Sequence, residues 1–461
     1  MTQSLSQNRS HTRKNIHYSN RTRSRLSRTI HSFMKKTSSK RQAHFLNTVC
    51  SDSGVCLAFG KEKEKLQRFF DFSSFAYAKP VHKRIGKPSV NGFIREVDYE
   101  REGYQAHAIL KSSIEMNSDN LTYEYLVGQT LNQVNRWLPS FVETYGIFHY
   151  MSSDERVKVL KDTVTLTLYK KTDKKNSKHV AKLTPLNPGK ISEVCKTSAR
   201  QCLLVQHLKD AYTIGDRLHH KMFVMYDLLY VLYPVYFSLK CLRTVFTHYD
   251  LHPDNVLLYE PIKGGYIEYH IHTNEEVVFR SKYIAKIIDY GSSFVKGSMD
   301  YYDKLCAERL YCNDCGSDVG FNKFSKDRSE DGEYFFINSL YKNESHDLRL
   351  LAECVRSLPM ESSQMPHVQA FLQVLKSTVY GIGILKPDDQ RYGTVEDLSI
   401  THTINNVSSA EQKLRELVQF RTWQTVNENQ YRSLRKIGEL HIYEDRTPMR
   451  YIEEPVRSFH V

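Results

Sequence analysis

The first 51 residues contain no aspartate or glutamate, against eleven lysines and arginines. That absence relocates the charge of the chain: of a net +13 over 461 residues, only +2 remains for the other 410. The folded part therefore has no strong bias toward polyanions, and the basic character belongs to an N-terminal tail. This tail is also short of aliphatic side chains. Rich in Arg, Ser, Thr, Asn and His, it cannot bury enough apolar surface to offset the entropy of ordering, so residues 1–50 are expected to be disordered. A nuclear-entry signal, a nucleic-acid or import-factor contact, an organelle presequence and a plain solvated tail all suit such a composition.

An apolar signal segment is missing from the start as well. Nine cysteines, an odd number scattered through a long chain, then point to reduced thiols in an intracellular compartment, cytoplasmic or nuclear, rather than to a secreted disulfide scaffold. Long apolar runs are almost absent. The strongest, 222–239, carries Asp227 and Pro234 and ends against Lys240, so a bilayer span would need a buried charge and a kink. It reads as a buried core helix, and no membrane span is expected. With 40% hydrophobic residues the chain can bury a sizeable core, and its length suits about two to four domains.

From residue 81 the texture changes to short strand-like runs at 81–86, 93–100 and 104–111, the last two separated by the turn-like Arg101-Glu102-Gly103. A helix follows over 120–134, where Leu121, Tyr125, Gly128, Leu131 and Asn132 share a face, and then a strand over 141–148. Residues 151–200 include the charged run 170–178 and read as an exposed hairpin or insertion. A strand returns at 202–207. Helices are expected around 347–358 and 408–420, with Ser408 and Glu411 as a capping box for the second.

The chemistry is concentrated in His248-Tyr249-Asp250-Leu251-His252-Pro253-Asp254-Asn255-Val256-Leu257-Leu258, followed by Lys286-Ile287-Ile288-Asp289-Tyr290-Gly291. Phosphoryl transfer needs a carboxylate near the attacking hydroxyl and oxygen ligands for the metal ions that bridge the phosphates, because its catalysis is mostly positioning and charge neutralisation. The pattern His-x-Asp-x-x-x-x-Asn, then apolar-apolar-Asp-aromatic-Gly, resembles the protein-kinase signature set. Its wording is similar to that of the divergent serine/threonine kinases of large DNA viruses.

The resemblance covers roughly residues 81–385. It implies an α+β, bilobal protein-kinase-like fold: a small β-rich N-lobe over 51–208 with a charged insertion near 151–200, a larger helical C-lobe over 209–385 and a helical C-terminal extension over 386–461. The cofactors it implies are ATP and Mg²⁺, and the partner a protein substrate, in a virion or host cell if the source is viral. Asp250 is implied as the catalytic base, Asn255 and Asp289 as metal ligands, and Gly291 as the residue that permits the turn aiming Asp289. Gly86 and Gly92 in Ile85-Gly86-Lys87-Pro88-Ser89-Val90-Asn91-Gly92-Phe93 resemble a glycine loop stretched by one residue and lacking its middle glycine. Backbone groups around Gln206 and Leu208 are implied to bind adenine, and Asp347 to brace the catalytic loop.

Two lysines compete for the phosphate-binding position, Lys111 in Ala108-Ile109-Leu110-Lys111 and Lys182 in Val180-Ala181-Lys182. Only about twenty residues separate Lys182 from the strand at Cys202, too few for a helix with its glutamate plus another strand. Lys111, followed by the helix containing Glu124, is the better choice, and Lys182 becomes a solvated residue of the insertion. The sequence departs from the family where arginine usually precedes the catalytic aspartate (Tyr249) and where lysine usually follows two residues later (His252), which when protonated would partly substitute. Asp-Leu-His-Pro-x-Asn also occurs in aminoglycoside and choline kinase-like enzymes, so a small-molecule phosphotransferase is the alternative, with a pseudokinase scaffold as a third reading. No Ala-Pro-Glu anchor lies between Gly291 and Asp347. Cys306, Cys312 and Cys315 stand there instead, half of a zinc knuckle without an evident fourth ligand, or reduced structural cysteines.

Overall fold

The computed structural model describes residues 48–50, 56–60, 63–79, 84–89, 92–101, 104–113, 120–161, 165–168, 180–187, 200–296, 323–326, 334–337, 342–356, 358, 366–378 and 404–454. Among these, helix and strand are mixed along the chain. The basic tail up to residue 47, the charged run 170–178 and the cysteines 306, 312 and 315 lie outside the described residues. The expected tail boundary at 50 is slightly late, because Thr48–Cys50 already pairs with Cys56–Ala58.

Seven strands form the first sheet: β1 (Arg84–Ser89), β2 (Gly92–Arg101), β3 (Tyr104–Ser113), β4 (Thr144–Tyr150), β5 (Thr165–Leu168), β6 (Val180–Pro185) and β7 (Gln201–Gln206), in the order β1-β2-β3-β7-β4-β6-β5. Phe93, Val97 and Tyr99 alternate along β2, and Tyr104, Ala106, Ala108 and Leu110 along β3. This apolar face packs on Leu66, Phe69 and Phe70 of α1 (Lys63–Phe70) and on Phe72 and Phe75 just after it. The period of two turns the odd positions of β3, including Lys111, to the opposite face. The helix covering the sheet was not foreseen from the sequence, since its apolar residues are interleaved with Lys63, Glu64, Lys65 and Arg68.

The described parts of the insertion belong to the sheet. After α2 (Asn120–Val134) and β4, a short α3 (Ser153–Lys161) leads into β5 and β6, which run parallel to each other, and β6 extends the sheet by pairing antiparallel with β4. Lys182 is accordingly a half-buried strand residue and not a solvated one. Gly128 shows why α2 can lie so close to β4: a Cβ there would stand 2.1 Å from Thr144 Oγ1.

Past β7 the chain forms β8 (Tyr212–Thr213), α4 (Ile214–Leu218), α5 (Lys221–Tyr226) and α6 (Leu228–Leu242). The apolar run of the sequence is thus two helices broken at Asp227, and α6 is buried along nearly its whole length. Asp227 is held by Lys282 Nζ at 3.0 Å, Gln430 Nε2 at 2.8 Å and the Tyr431 hydroxyl at 3.0 Å, so its buried charge is paired inside the protein. Among the described residues no helix is long and apolar enough to cross a membrane.

The short strands β9 (Phe246–Thr247), β10 (Val256–Tyr259), β11 (Gly265–His272), β12 (Glu276–Ser281), β13 (Ile284–Ile287) and β14 (Phe294–Val295) follow. Then come α7 (Arg349–Arg356), α8 (Pro366–Lys376), α9 (Val407–Gln419) and α10 (Arg421–Tyr431), and finally β15 (Arg435–Tyr443) and β16 (Arg450–Glu453). The C-terminal segment is therefore only partly helical: β15 pairs parallel with β11, giving a second sheet in the order β12-β11-β15-β16. The cap of α9 also lies earlier than expected. Asn406 accepts from the Ser409 amide at 2.9 Å and Ser409 Oγ receives the Asn406 amide at 3.2 Å, while Glu411 is buried beside Arg415.

Candidate active site

Lys111 is brought to α2 by the alternation of β3. Its Nζ donates to both carboxylate oxygens of Glu124, at 2.8 and 2.9 Å, and to Asp289 Oδ1 at 3.2 Å. Burial opposes the charge on Lys111, but Asp289 and Glu124 together outweigh it and hold the lysine above its ordinary pKa. The Lys111 cation keeps the Asp289 carboxyl below the usual range, whereas burial raises Glu124. Residues 178 positions apart in sequence thus form one ion-paired unit.

The segment 248–255 is anchored at both ends. β9 pairs with β14, and β10 pairs with β13, which leads to Asp289. Between them the Asp347 carboxylate, itself 2% exposed, accepts the amides of His248 at 2.8 Å and Tyr249 at 3.0 Å. Burial pushes the Asp347 carboxyl up to about 6 and its neighbour His346 down to about 3. Tyr249 has φ +64°, uncommon for an aromatic residue, and its ring packs on His346 at 4.7 Å. His248 Nδ1 accepts the Asp250 amide at 3.3 Å, which leaves Nε2 to donate to the Ile288 carbonyl at 2.8 Å. The catalytic-loop candidate is thereby stitched to the segment that leads from β13 to Asp289.

Asp250 receives Arg349 Nη1 on Oδ1 at 2.8 Å, with His252 Nε2 3.9 Å from the same oxygen. Asn255 Nδ2 donates to the Asp250 carbonyl at 2.8 Å, and the Asn255 carbonyl accepts the Ile288 amide at 3.0 Å. Arg349 is 4% exposed on its side chain and also bonds Glu353 at 2.5 Å. It is the site residue that sequence reasoning missed; its only signal was a position two residues beyond Asp347. Asp289 itself adopts the left-handed region, φ 67° and ψ 74°, whereas Gly291 lies in the short 3₁₀ turn Tyr290–Ser292. The left-handed residue is thus Asp289 itself, and Gly291 lies in the turn that follows it.

Gly86 lies in β1 where its pairing with β2 slips between Ile85 and Ser89, and Gly92 pairs with Ser89 and with Ser113, two residues past Lys111. Gln206 ends β7 with its amide committed to the Glu143 carbonyl at 2.8 Å, and the Leu208 side chain is buried in the main core. Lys286, buried in β13, donates to the Phe141 carbonyl at 3.1 Å, and burial lowers its pKa to about 7.

Residues 191–300 match the family model described as poxvirus serine/threonine protein kinase. The match supports a divergent, viral-like protein kinase and takes in Gln206, Leu208, Asp250, His252, Asn255 and Asp289, while Lys111, Glu124 and Arg349 lie outside it. No curated protein matches the chain.

Asp347→Ala is expected to lower stability by about 2–5 kcal/mol in urea unfolding, because two buried amides lose their acceptor. An unchanged midpoint would show that Asp347 does not hold the loop.

Proposed function

We propose that this chain has a bilobal protein-kinase-like fold and transfers the γ-phosphoryl group of ATP, with Mg²⁺, to serine or threonine hydroxyls of protein substrates. The observation that carries this reading is the Lys111–Glu124–Asp289 unit standing beside a loop whose amides Asp347 holds. The donor chemistry fits a hard cation. Asp289 is 50% exposed and Asp250 36%, although their supports Glu124, His248 and Asp347 are buried, and Asn255 uses its amide nitrogen on the loop, which leaves a carbonyl oxygen as ligand.

In this reading ATP with Mg²⁺ supplies the electrophilic phosphorus and neutralises the charge on the transferred group. Asp289 and Asn255 hold the metal. Lys111 orients phosphate oxygens and Glu124 fixes Lys111. Gly86 and Gly92 shape the hairpin over the phosphates, and the link at Gln206 to Leu208 receives the adenine. Asp250 orients the acceptor hydroxyl and takes its proton, positioned by Arg349. With tyrosine and histidine at 249 and 252, Arg349 supplies the fixed cation that the loop itself lacks, and His252 adds charge when protonated. The basic tail is proposed to contact a nucleic acid or an import factor, in a cell or virion compartment.

The match to a serine/threonine family favours a protein acceptor over a small one. Purified chain given γ-labelled ATP, Mg²⁺, a generic basic protein, small alcohols and aminoglycosides is expected to label serine or threonine of the protein. Label appearing only on a small molecule would overturn the substrate class, and none on any acceptor would leave the pseudokinase reading in its place.

A further inference from the structure

We infer that the solvent face of the C-terminal sheet holds a divalent transition-metal site of the zinc class, built from His270, Glu276 and His441 with His272 as the fourth donor. It is independent of the phosphotransfer reading. The register of three strands creates it. His270 and His272, two apart on β11, share one face; β15 sets His441 opposite His270, and β12 sets Glu276 opposite His272. The reverse face carries Tyr269, Ile271, Val277, Phe279, Leu440 and Ile442, all buried, so the imidazoles have no core-packing role.

The donor atoms of His270, Glu276 and His441 lie within 4.8 Å of one another. The rings stack closely, with His441 centroids 4.5 Å from His270 and 5.3 Å from His272. Neutral imidazoles each keep one lone pair, and a shared cation is an arrangement that would use those of the three rings together.

The hydrogen bonds give the site a direction. His270 Nδ1 meets Glu276 Oε1 at 2.8 Å, while its Nε2 is shut off from solvent, makes no hydrogen bond and stands 3.6 Å from Glu268 Oε1. A metal on Nδ1 would fix the proton on Nε2, and Glu268 is the carboxylate placed to accept it. His441 repeats the scheme: Nε2 faces Glu439 Oε2 at 3.3 Å, and Nδ1 faces His272 Nε2 at 3.0 Å. Carboxylates behind the outer nitrogens of His270 and His441 are the arrangement that orients histidine ligands and raises their basicity. Lys436 bridges Glu268 and Glu439, at 2.6 Å to each, and keeps both in place.

Imidazole donors with one carboxylate suit zinc, cobalt, nickel or copper rather than Mg²⁺, so this site and the phosphate-linked cation would not compete. Binding would replace the proton shared by His270 and Glu276 and turn the stacked rings toward one ion, and it would staple β15 to the β11–β12 hairpin.

The test uses the full chain, stripped with chelator, in a background with Cys306, Cys312 and Cys315 changed to serine, titrated calorimetrically with Zn²⁺ and followed by Co²⁺ absorption. One equivalent should bind with micromolar or tighter affinity and raise the melting temperature. His270→Gln, Glu276→Gln and His441→Gln should each weaken binding tenfold or more, and Glu268→Gln by roughly 10–100-fold. Circular dichroism of the metal-free variants checks that each still folds, and Glu268→Gln, outside the ligand set, reads the site without removing a ligand. Loss of all Zn²⁺ binding in the background with Cys306, Cys312 and Cys315 replaced, or affinity unchanged in the His270→Gln/His441→Gln pair, would overturn the site.

Discussion

Asp250→Asn is expected to lower turnover by roughly 10²–10⁴-fold while nucleotide affinity stays near that of the wild type. The substitution keeps the shape of the side chain and an oxygen for Arg349 Nη1, 2.8 Å away, so the loop should hold its conformation. What it removes is the capacity to take a proton from the acceptor hydroxyl. Because this step concerns the acceptor, the loss should fall on kcat, with the KM for ATP little changed. Arg349→Lys should retain part of the activity and Arg349→Ala less, since lysine restores the charge but not the planar fork that also reaches Glu353. Near-normal transfer by Asp250→Asn to every acceptor would remove the assignment of this loop.

The packing around Tyr249 bears on control as well. An arginine there would pair with a phosphorylated segment, but Tyr249 is buried against His346 with its amide on Asp347, so the loop is held by packing and hydrogen bonds.

Local patterns were the legible part of the fold. The strands around Arg101-Glu102-Gly103 and the helix Asn120–Val134 could be read from alternation and periodicity, because each is determined by its own residues and one buried face. Long-range pairing was not legible. In β15 both Ile437 and Gly438 are buried beside a register shift, which breaks the alternation that would have marked a strand, and its parallel partner β11 lies far earlier in the chain. The β5–β6 pair was hidden for a similar reason, since a highly charged stretch separates two short strands.

In the candidate site, residues with a motif could be found and residues without one could not. Asp250, Asn255 and Asp289 stand in strings whose spacing is itself the signal, and Asp347 was found through its helix. Arg349 reaches Asp250 across 99 positions of chain, and apart from its place two residues beyond Asp347 the sequence holds no marker for that contact. The left-handed conformation of Asp289 was not legible, because glycine and not aspartate is the usual occupant of that region. Here the strain is borne by an aspartate whose carboxylate is drawn to Lys111.

Lys111→Met should reduce phosphotransfer by at least about 10²-fold, and Lys182→Met should leave most of it. Lys111 bonds Glu124 through both carboxylate oxygens and also reaches Asp289, so it is placed to bear on phosphate oxygens next to the carboxylate proposed to hold the metal. Lys182 lies on β6, three strands along the sheet from β3, with β7 and β4 between them. Methionine at 111 also leaves Glu124, 6% exposed, without its cation, and breaking a buried pair can cost about 3–5 kcal/mol. Lost activity could then reflect lost fold, so the decisive protein is Lys111→Met/Glu124→Gln, which removes the stranded charge. It should unfold in urea near the wild-type midpoint and still be inactive. Activity in that double variant, or inactivation by Lys182→Met with Lys111→Met still active, would move the phosphate-binding lysine to the other strand and with it every assignment made from Lys111.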